Sequence, residues 1–441
     1  VECPVPLLGD IDPSYLELPR EVLLTSMQSH QKSFGVESST GELLPHFLTV
    51  LNLRPKDMSV VKKGWERVLR ARLEDGRFFW KTDLESSFDD WLARLDNVIF
   101  LAPLGSMGEK TRRISALCAW LAGQVGADRE QAARAGRLSK ADLMSEMVGE
   151  FDTLQGIMGG IYARKKGETE EVAAALAEQY LPSGPDTPVP ATELGALLSI
   201  ADKADTLVGC FGLGMIPTGA ADPYALRRCA LGIVRIVLDR GYRFDIRELF
   251  AEAQKLYGER KWKLAPVDAL SKLEEFFVAR SKNFFLTSGH ETLLVEAVSA
   301  VNPDRVWEVG KRLEALERMS HKDDFPQIAQ TFKRVANIIR KQGAGIALTG
   351  EWNAALLEEA AEQTLASRIA SLAEAFEEGL QRDDYDALFA LLASVRPDVD
   401  ELFDKVMVMC DDMSMRANRL NLLKALTLRM DRLADFSALQ M

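Results

Sequence analysis

The stretch Gly105-Ser106-Met107-Gly108-Glu109-Lys110-Thr111 comes nearest to a phosphate-binding loop. Such a loop needs a glycine directly ahead of the lysine, so that backbone amides can close round the phosphates. Glu109 stands there instead, and its carboxylate would repel phosphate. A turn capping the following helix fits these residues better. Gly212-Leu213-Gly214-Met215-Ile216-Pro217 opens like a dinucleotide-binding turn, but it ends in proline and follows a helical pattern, not a strand. The histidines are His30, His46, His290 and His321. None forms His-x-x-x-His, and none directly precedes an aspartate. A His/Asp metal hydrolase needs several such ligands converging on its ion. Glu146 and Glu150, four apart, share a helix face. Paired carboxylates could do acid–base work, although a solvated or salt-bridged face is the commoner fate of such a pair. The sequence therefore offers no catalytic residue set and no metal site of its own.

Cations gather more suggestively. Phe332 to Lys341 carries Lys333, Arg334, Arg340 and Lys341 and no acid. On a helix these fall within an arc of about 120°, opposite Phe332, Val335, Ile338 and Ile339. Such a helix can bury one face and lay a cationic stripe along a phosphate backbone, or simply show a solvated face. Towards the end, Arg416, Arg419, Lys424, Arg429 and Arg432 are opposed only by Asp431, but they do not line one helix face. In Asp222-Pro223-Tyr224-Ala225-Leu226-Arg227-Arg228, Pro223 suits a first helical position with Asp222 as N-cap. Arg227 and Arg228 could then hold phosphate in a bidentate manner, or one could pair internally with Asp202 or Asp205.

The elements that must position these groups are mainly helical. The first hundred residues read as mixed α+β: a helix over 21–30, a hairpin of 33–37 and 46–50 about the turn cluster Ser38-Ser39-Thr40-Gly41, and a helix over 60–83. From about Thr111 onward nearly everything reads as helix, with Asp142–Val148 continuing the spacing set by Leu138. Gly and Pro mark loops at 181–190, 216–219, 343–345 and 396–397. Breaks near 255–265 and at Asn302-Pro303 suggest four parts. They are an α+β region (1–105), a helical domain (106–260), a helical linker (261–302) and a final helical domain (303–441).

The 441 residues carry a formal charge of -12, which argues against a generic nucleic-acid coat but leaves room for a local basic patch. The five cysteines are odd in number and scattered, so neither a disulfide framework nor a thiolate zinc site is expected, and a reducing cytoplasm is the expected home. No apolar run reaches the length of a membrane span, and no signal peptide opens the chain. Val1 in place of a starting methionine suggests a piece of a longer chain.

An ordered series of segments resembles the β subunit of the heterotetrameric bacterial glycyl-tRNA synthetases. It includes Leu18-Pro19-Arg20-Glu21-Val22-Leu23-Leu24, Glu66-Arg67-Val68-Leu69-Arg70-Ala71-Arg72-Leu73-Glu74-Asp75 and Glu146-Met147-Val148-Gly149-Glu150-Phe151. Further on come Ala201-Asp202-Lys203-Ala204-Asp205-Thr206-Leu207, Ile216-Pro217-Thr218-Gly219, the Asp222–Arg228 cluster, Lys333-Arg334-Val335 and Arg416-Ala417-Asn418-Arg419-Leu420. The resemblance implies an α2β2 ligase that joins glycine to tRNA(Gly). ATP and Mg are then expected at the α subunit, no cofactor in this chain, and no DNA or membrane partner. It implies that the middle region is an HD-like helical domain that has lost its metal ligands. The last region becomes a helical anticodon-binding domain. On this footing Lys333, Arg334, Arg340 and Lys341 become expected RNA contacts, Arg416 and Arg419 less so, and Arg227 and Arg228 stay open between contact and structural pairing. The competing readings are a metal-dependent HD-type phosphohydrolase and a helical protein-binding scaffold.

Overall fold

The computed structural model describes residues 2–343 and 346–439; the loop expected at Gly343-Ala344-Gly345 thus lies partly outside the described residues. Helices dominate, and the chain divides into two compact units. The first takes in Val1–Met215 and Glu252–Leu264, the second Ile216–Ala251 and Ala265–Met441.

The first unit opens with β1 (Val5–Asp10), α1 (Arg20–Gln31), β2 (Phe34–Glu37) and β3 (Leu43–Leu51). β2 and β3 form the expected antiparallel hairpin, closed by Ser38 N–H to the Glu42 carbonyl at 2.9 Å. β1 was not expected as a strand. It pairs antiparallel with β3 on the other side, giving the order β1-β3-β2. Gly9 in β1 is dictated by its neighbour: a Cβ there would come within 2.1 Å of the Phe47 ring, which lies across it. One sheet face buries Leu7, Phe47 and Thr49, and α1 packs on the sheet. The long α2 (Met58–Glu85) follows, capped by the Asp57 side chain, and buries Leu69, Leu73, Gly76 and Trp80 at helical spacing.

The rest of this unit is helical: α3 (Phe88–Leu95), the short strands β4 (Ile99–Leu101) and β5 (Gly105–Ser106), then α4 (Met107–Val125), α5 (Arg129–Leu138), α6 (Glu146–Glu150), α7 (Ile157–Lys165), α8 (Glu170–Glu178) and α9 (Glu193–Gly212). The stretch that approached a phosphate loop is a capping box: Ser106 Oγ accepts from Glu109 N–H, and the Glu109 carboxylate accepts from Ser106 N–H at 2.8 Å. Glycine is required at Gly212 for packing, since a Cβ would meet the Trp262 ring at 1.7 Å. The helical spacing expected to run on from Leu138 to Val148 is interrupted. α5 stops, a 3-10 turn spans Ala141–Met144, and α6 starts afresh under the Ser145 cap. The cause is Asp142, whose carboxylate turns inward to accept from Gly156 N–H at 2.5 Å and Gly159 N–H at 3.1 Å.

The second unit contains α10 (Leu226–Arg240), most of α11 (Ile246–Lys255), α12 (Pro266–Thr287), α13 (Thr292–Ser299), α14 (Val306–Ser320), α15 (Phe325–Gln342), α16 (Ala360–Gln381), α17 (Tyr385–Ala393), α18 (Arg396–Lys405) and α19 (Met413–Met430). Its core joins Phe285, Leu294, Val295, Val298, Leu313, Phe332, Leu365, Phe389, Leu402 and Leu426. Residues of the segment expected as a linker, such as Phe285 and Val295, are core members here. The fold thus forms two compact units where the sequence suggested four parts. Arg312 is buried in this core, and its guanidinium donates to the carbonyls of Val301 at 2.7 Å, Leu433 at 3.2 Å and Glu308 at 3.3 Å. Burial pulls it down to about 10.

Candidate nucleic-acid interface

α15 begins with Pro326 in its first turn and buries Phe325, Ile328, Ala329, Phe332 and Val335, spaced three or four apart. Phe332 meets Phe436 edge-on at 5.2 Å, and Thr331 Oγ1 donates to Asp400 at 2.7 Å. These contacts fix the rotation of the helix, and the cationic arc comes out on its open side. There Gln330, Lys333, Arg334, Asn337, Ile338, Lys341 and Gln342 line one shallow groove. Ile338, expected on the buried arc, packs partly against the core and also lines this groove, because it sits at the edge of the apolar stripe. Arg334 is exposed, with its guanidinium 4.0 Å over the Phe403 ring of α18. Lys333 Nζ donates to the Leu439 carbonyl at 3.3 Å. Arg340 donates to Asn337 Oδ1 at 2.6 Å and lies 3.5 Å from Ser437 Oγ. Lys341 is exposed, and no bond or ion pair holds it among the described residues. None of these interactions neutralises a cation with a carboxylate, so the groove keeps its positive potential.

The other expected contacts are built differently. Arg419 is a correction: only 6% exposed, it is held by the buried Glu362 carboxylate and donates to the Met407 carbonyl at 3.0 Å. Burial would pull its guanidinium down, but Glu362 outweighs this and holds it above its usual range. It holds α16 to α19 inside the core and leaves no exposed charge. Arg416 is half-buried and donates through Nε to the Cys410 carbonyl at 2.8 Å. In the 222–228 cluster the helix starts later than expected, at Leu226, because Ala225 takes a left-handed conformation with φ 54°. Pro223 therefore precedes the helix. Asp222 still caps it, accepting from Leu226 N–H at 2.8 Å and Arg227 N–H at 3.0 Å. That carboxylate occupies the place an anion would take. Arg227 closes the preceding loop through the Gly219 carbonyl at 2.6 Å, while Arg228 stays exposed.

Neither Arg227 nor Arg228 is the partner of Asp202 and Asp205. In the first unit these two acids are taken up by Lys110, Arg113 and Lys140. Lys110 Nζ lies 2.9 Å from Asp202 and 3.0 Å from Asp205; Arg113 Nε reaches Asp205 at 2.6 Å, and Lys140 Nζ reaches Asp202 at 2.7 Å. Lys140 also donates to Gln179 at 2.7 Å and sits 4.1 Å over the Tyr180 ring. Burial acts to raise Asp202 and to lower Lys110, but the opposite charges win, holding the acid below and the ammonium above their usual ranges. Two ammonium groups thus bracket the Asp202 carboxylate and neutralise it. Among the described residues no group of three His, Cys, Asp or Glu could hold a metal ion. The phosphohydrolase reading is not favoured. Glu150 of the Glu146/Glu150 pair lies 3.5 Å from Arg72, an ordinary surface pair.

Sequence reasoning missed Gln330, Asn337 and Gln342 in the groove and Phe403 beneath Arg334. The amides were legible in principle: Gln330, Lys333, Asn337 and Lys341 recur at the helical period. Phe403 was not, because only the tertiary fold brings α18 to α15.

Comparison with known proteins now bears on this geometry. Residues 1–300 match the family model described as the glycyl-tRNA synthetase beta subunit, and residues 328–433 match the DALR anticodon binding domain. The groove-lining residues of α15 lie inside the second match. The chain is 70% identical to the glycine--tRNA ligase beta subunit of Nitratidesulfovibrio vulgaris (strain DSM 19637 / Miyazaki F), over 100% of this chain and 64% of that protein. The proteins of the same name are 54% identical in Lawsonia intracellularis and 41% identical in Pectobacterium atrosepticum, each over 100% of this chain and 64% and 63% of the relative. The chain therefore spans slightly less than two thirds of these relatives, 64% of the first. With its first 300 residues matched by the family model, the chain belongs to the glycyl-tRNA synthetase beta subunit family.

Proposed function

We propose that this chain is the tRNA-handling part of a glycine--tRNA ligase β subunit. It grips tRNA(Gly) through the cationic groove of α15 in support of ATP-dependent aminoacylation at a separate α subunit. The observation that carries this reading is the groove itself: Lys333, Arg334 and Lys341 stand on one open helix face with no carboxylate paired to them, in a chain with an excess of acids. Lys and Arg on such a face bind phosphates by releasing counterions, and the flanking amides of Gln330 and Asn337 can meet base edges or sugars. Arg340 and exposed Arg228 are supporting contacts. Arg416 contributes at most from a fixed position, and Arg419 and Arg227 hold the fold. ATP and Mg bind at the α subunit, and the assembly is α2β2 in the cytoplasm. No helix among the described residues is long and apolar enough to cross a membrane. An α+β part (1–105) and an HD-like helical body (106–260) serve as distinct parts; the stretch of that body up to Met215, which falls in the first unit, holds Asp202 and Asp205 internally neutralised.

The test is a double charge reversal, Lys333→Glu with Arg334→Glu, in the full-length subunit with its α partner. Binding of tRNA(Gly) should weaken at least about tenfold near 0.1 M salt, and the log–log salt slope should fall by roughly 1.5, as expected for two lost phosphate contacts. The KM for tRNA should rise while glycine-dependent ATP–pyrophosphate exchange stays unchanged. Unaltered affinity and slope would remove α15 from the interface.

A further inference from the structure

The three-stranded sheet is apolar on both faces, yet only one is covered. Register places Leu8, Leu48 and Phe34 side by side across β1, β3 and β2, with Pro6 and Val50 in the next row. All five project away from the face that buries Leu7, Phe47 and Thr49. Leu8 is 53% exposed, Phe34 56%, Val50 39% and Leu48 36%. A one-sided antiparallel sheet normally turns polar side chains to water. This row carries no charge; the ionic groups at its ends, Asp10 with His46 and Lys62, and Arg20 with Glu37, are paired to each other. At the sheet's edge, a cleft of about 690 Å³ between the sheet and α2 is lined by both Val50 of this row and Thr49 of the covered face, with Gln31, Lys32, Val61, Gly64, Trp65 and Val68. Most of the large apolar side chains left exposed among the described residues lie in residues 1–105, and the second unit shows few.

We infer that this outer sheet face is an intramolecular docking surface, covered in the longer protein by polypeptide that the 441-residue chain does not include. Three observations select this occupant. More than a third of the first relative lies outside the match, which covers 64% of it. A nucleic acid is a poor fit, because the row offers carbon and no free cation. The face is bordered by the edge strand β1 near the start of the chain, so polypeptide joined ahead of it would leave alongside the row.

The test uses the full-length subunit with a photoreactive p-benzoylphenylalanine at Phe34, alone and with its α partner and tRNA. A cross-link to a peptide of the same polypeptide outside these 441 residues is the expected product. A cross-link to the α subunit, to a second copy, to tRNA or to a peptide within the 441 residues overturns the inference, as does no cross-link. As a second readout, Leu48→Lys should lower the Tm of the full-length subunit by roughly 3 °C or more and leave the 441-residue chain unchanged. Equal effects in both also overturn it. Neither readout depends on whether α15 binds tRNA.

Discussion

The two units use the same cations in opposite ways. In the first, Lys110, Arg113 and Lys140 are buried and close on Asp202 and Asp205, so their charge is consumed within the fold. In the second, Lys333, Arg334 and Lys341 stand on an open face and meet only carbonyls, an aromatic ring or solvent. A buried charge must be paired or, like Arg312, fully hydrogen-bonded, because desolvation would otherwise expel it, whereas an exposed one can stay unpaired at little expense. The consequence is a division by environment. On the proposed function, the inner cluster determines stability and is blind to ligands, and the outer stripe determines binding and is nearly neutral for stability.

The comparison breaks most visibly at Asp205, which serves two cations. Asp205→Ala leaves the buried Arg113 without a counter-charge and Lys110 with Asp202 alone, and should cost about 3–5 kcal/mol in urea unfolding. The folded fraction should keep the wild-type salt slope for tRNA. If stability holds and the slope moves instead, the division is wrong.

That inner cluster was illegible in the sequence, and the reason is distance. Residues 110, 113, 140, 202 and 205 come from three places along the chain, and of them only Asp202 and Asp205 are expected as pairing acids. The sequence sets them against Arg227 and Arg228, whereas Lys110, Arg113 and Lys140 hold them. Local features fared better. The turn residues Ser38–Gly41 announced the hairpin, and Ser106 with Glu109 announced a cap, because both signals lie within four residues. β1 escaped notice since Pro4, Pro6 and Gly9 interrupt its alternation and its partner lies some forty residues on. The cationic face of α15 was readable from periodicity alone, but periodicity could not separate exposed Arg334 from buried Arg419. That difference arises from Glu362, a residue far away in sequence.

Arg419 sharpens the same point inside the second unit. Arg419→Met strands the Glu362 carboxylate in the core and should destabilise this unit by about 3 kcal/mol, measured by thermal or urea unfolding. Its effect on tRNA salt dependence should be nil. A reduced slope without loss of stability would return Arg419 to the binding face.

The smallest expected effect concerns Asp142 beside the inner cluster. Burial pushes its carboxyl up to about 6 from the ordinary 3.8, against the pull of the Gly156 N–H, the Lys140 charge and the Gly159 N–H. Between those values the folded form holds a proton that the unfolded form has released. Lowering the pH through about 6 therefore adds stability from this group, and raising it removes that stability. Asp142→Asn lacks the effect. The Tm of the wild type relative to the variant should rise by roughly 2–4 °C between about pH 7 and pH 5. A constant difference across that range would show that Asp142 titrates normally.

Arg312 carries a consequence for biosynthesis. One of its three carbonyl acceptors belongs to Leu433, 121 residues later in the chain. A ribosome delivers the cation long before that acceptor, so the nascent helices around Arg312 have no way to seal it off from water with its bonds complete. Closure of this half is thus deferred until synthesis has passed α19.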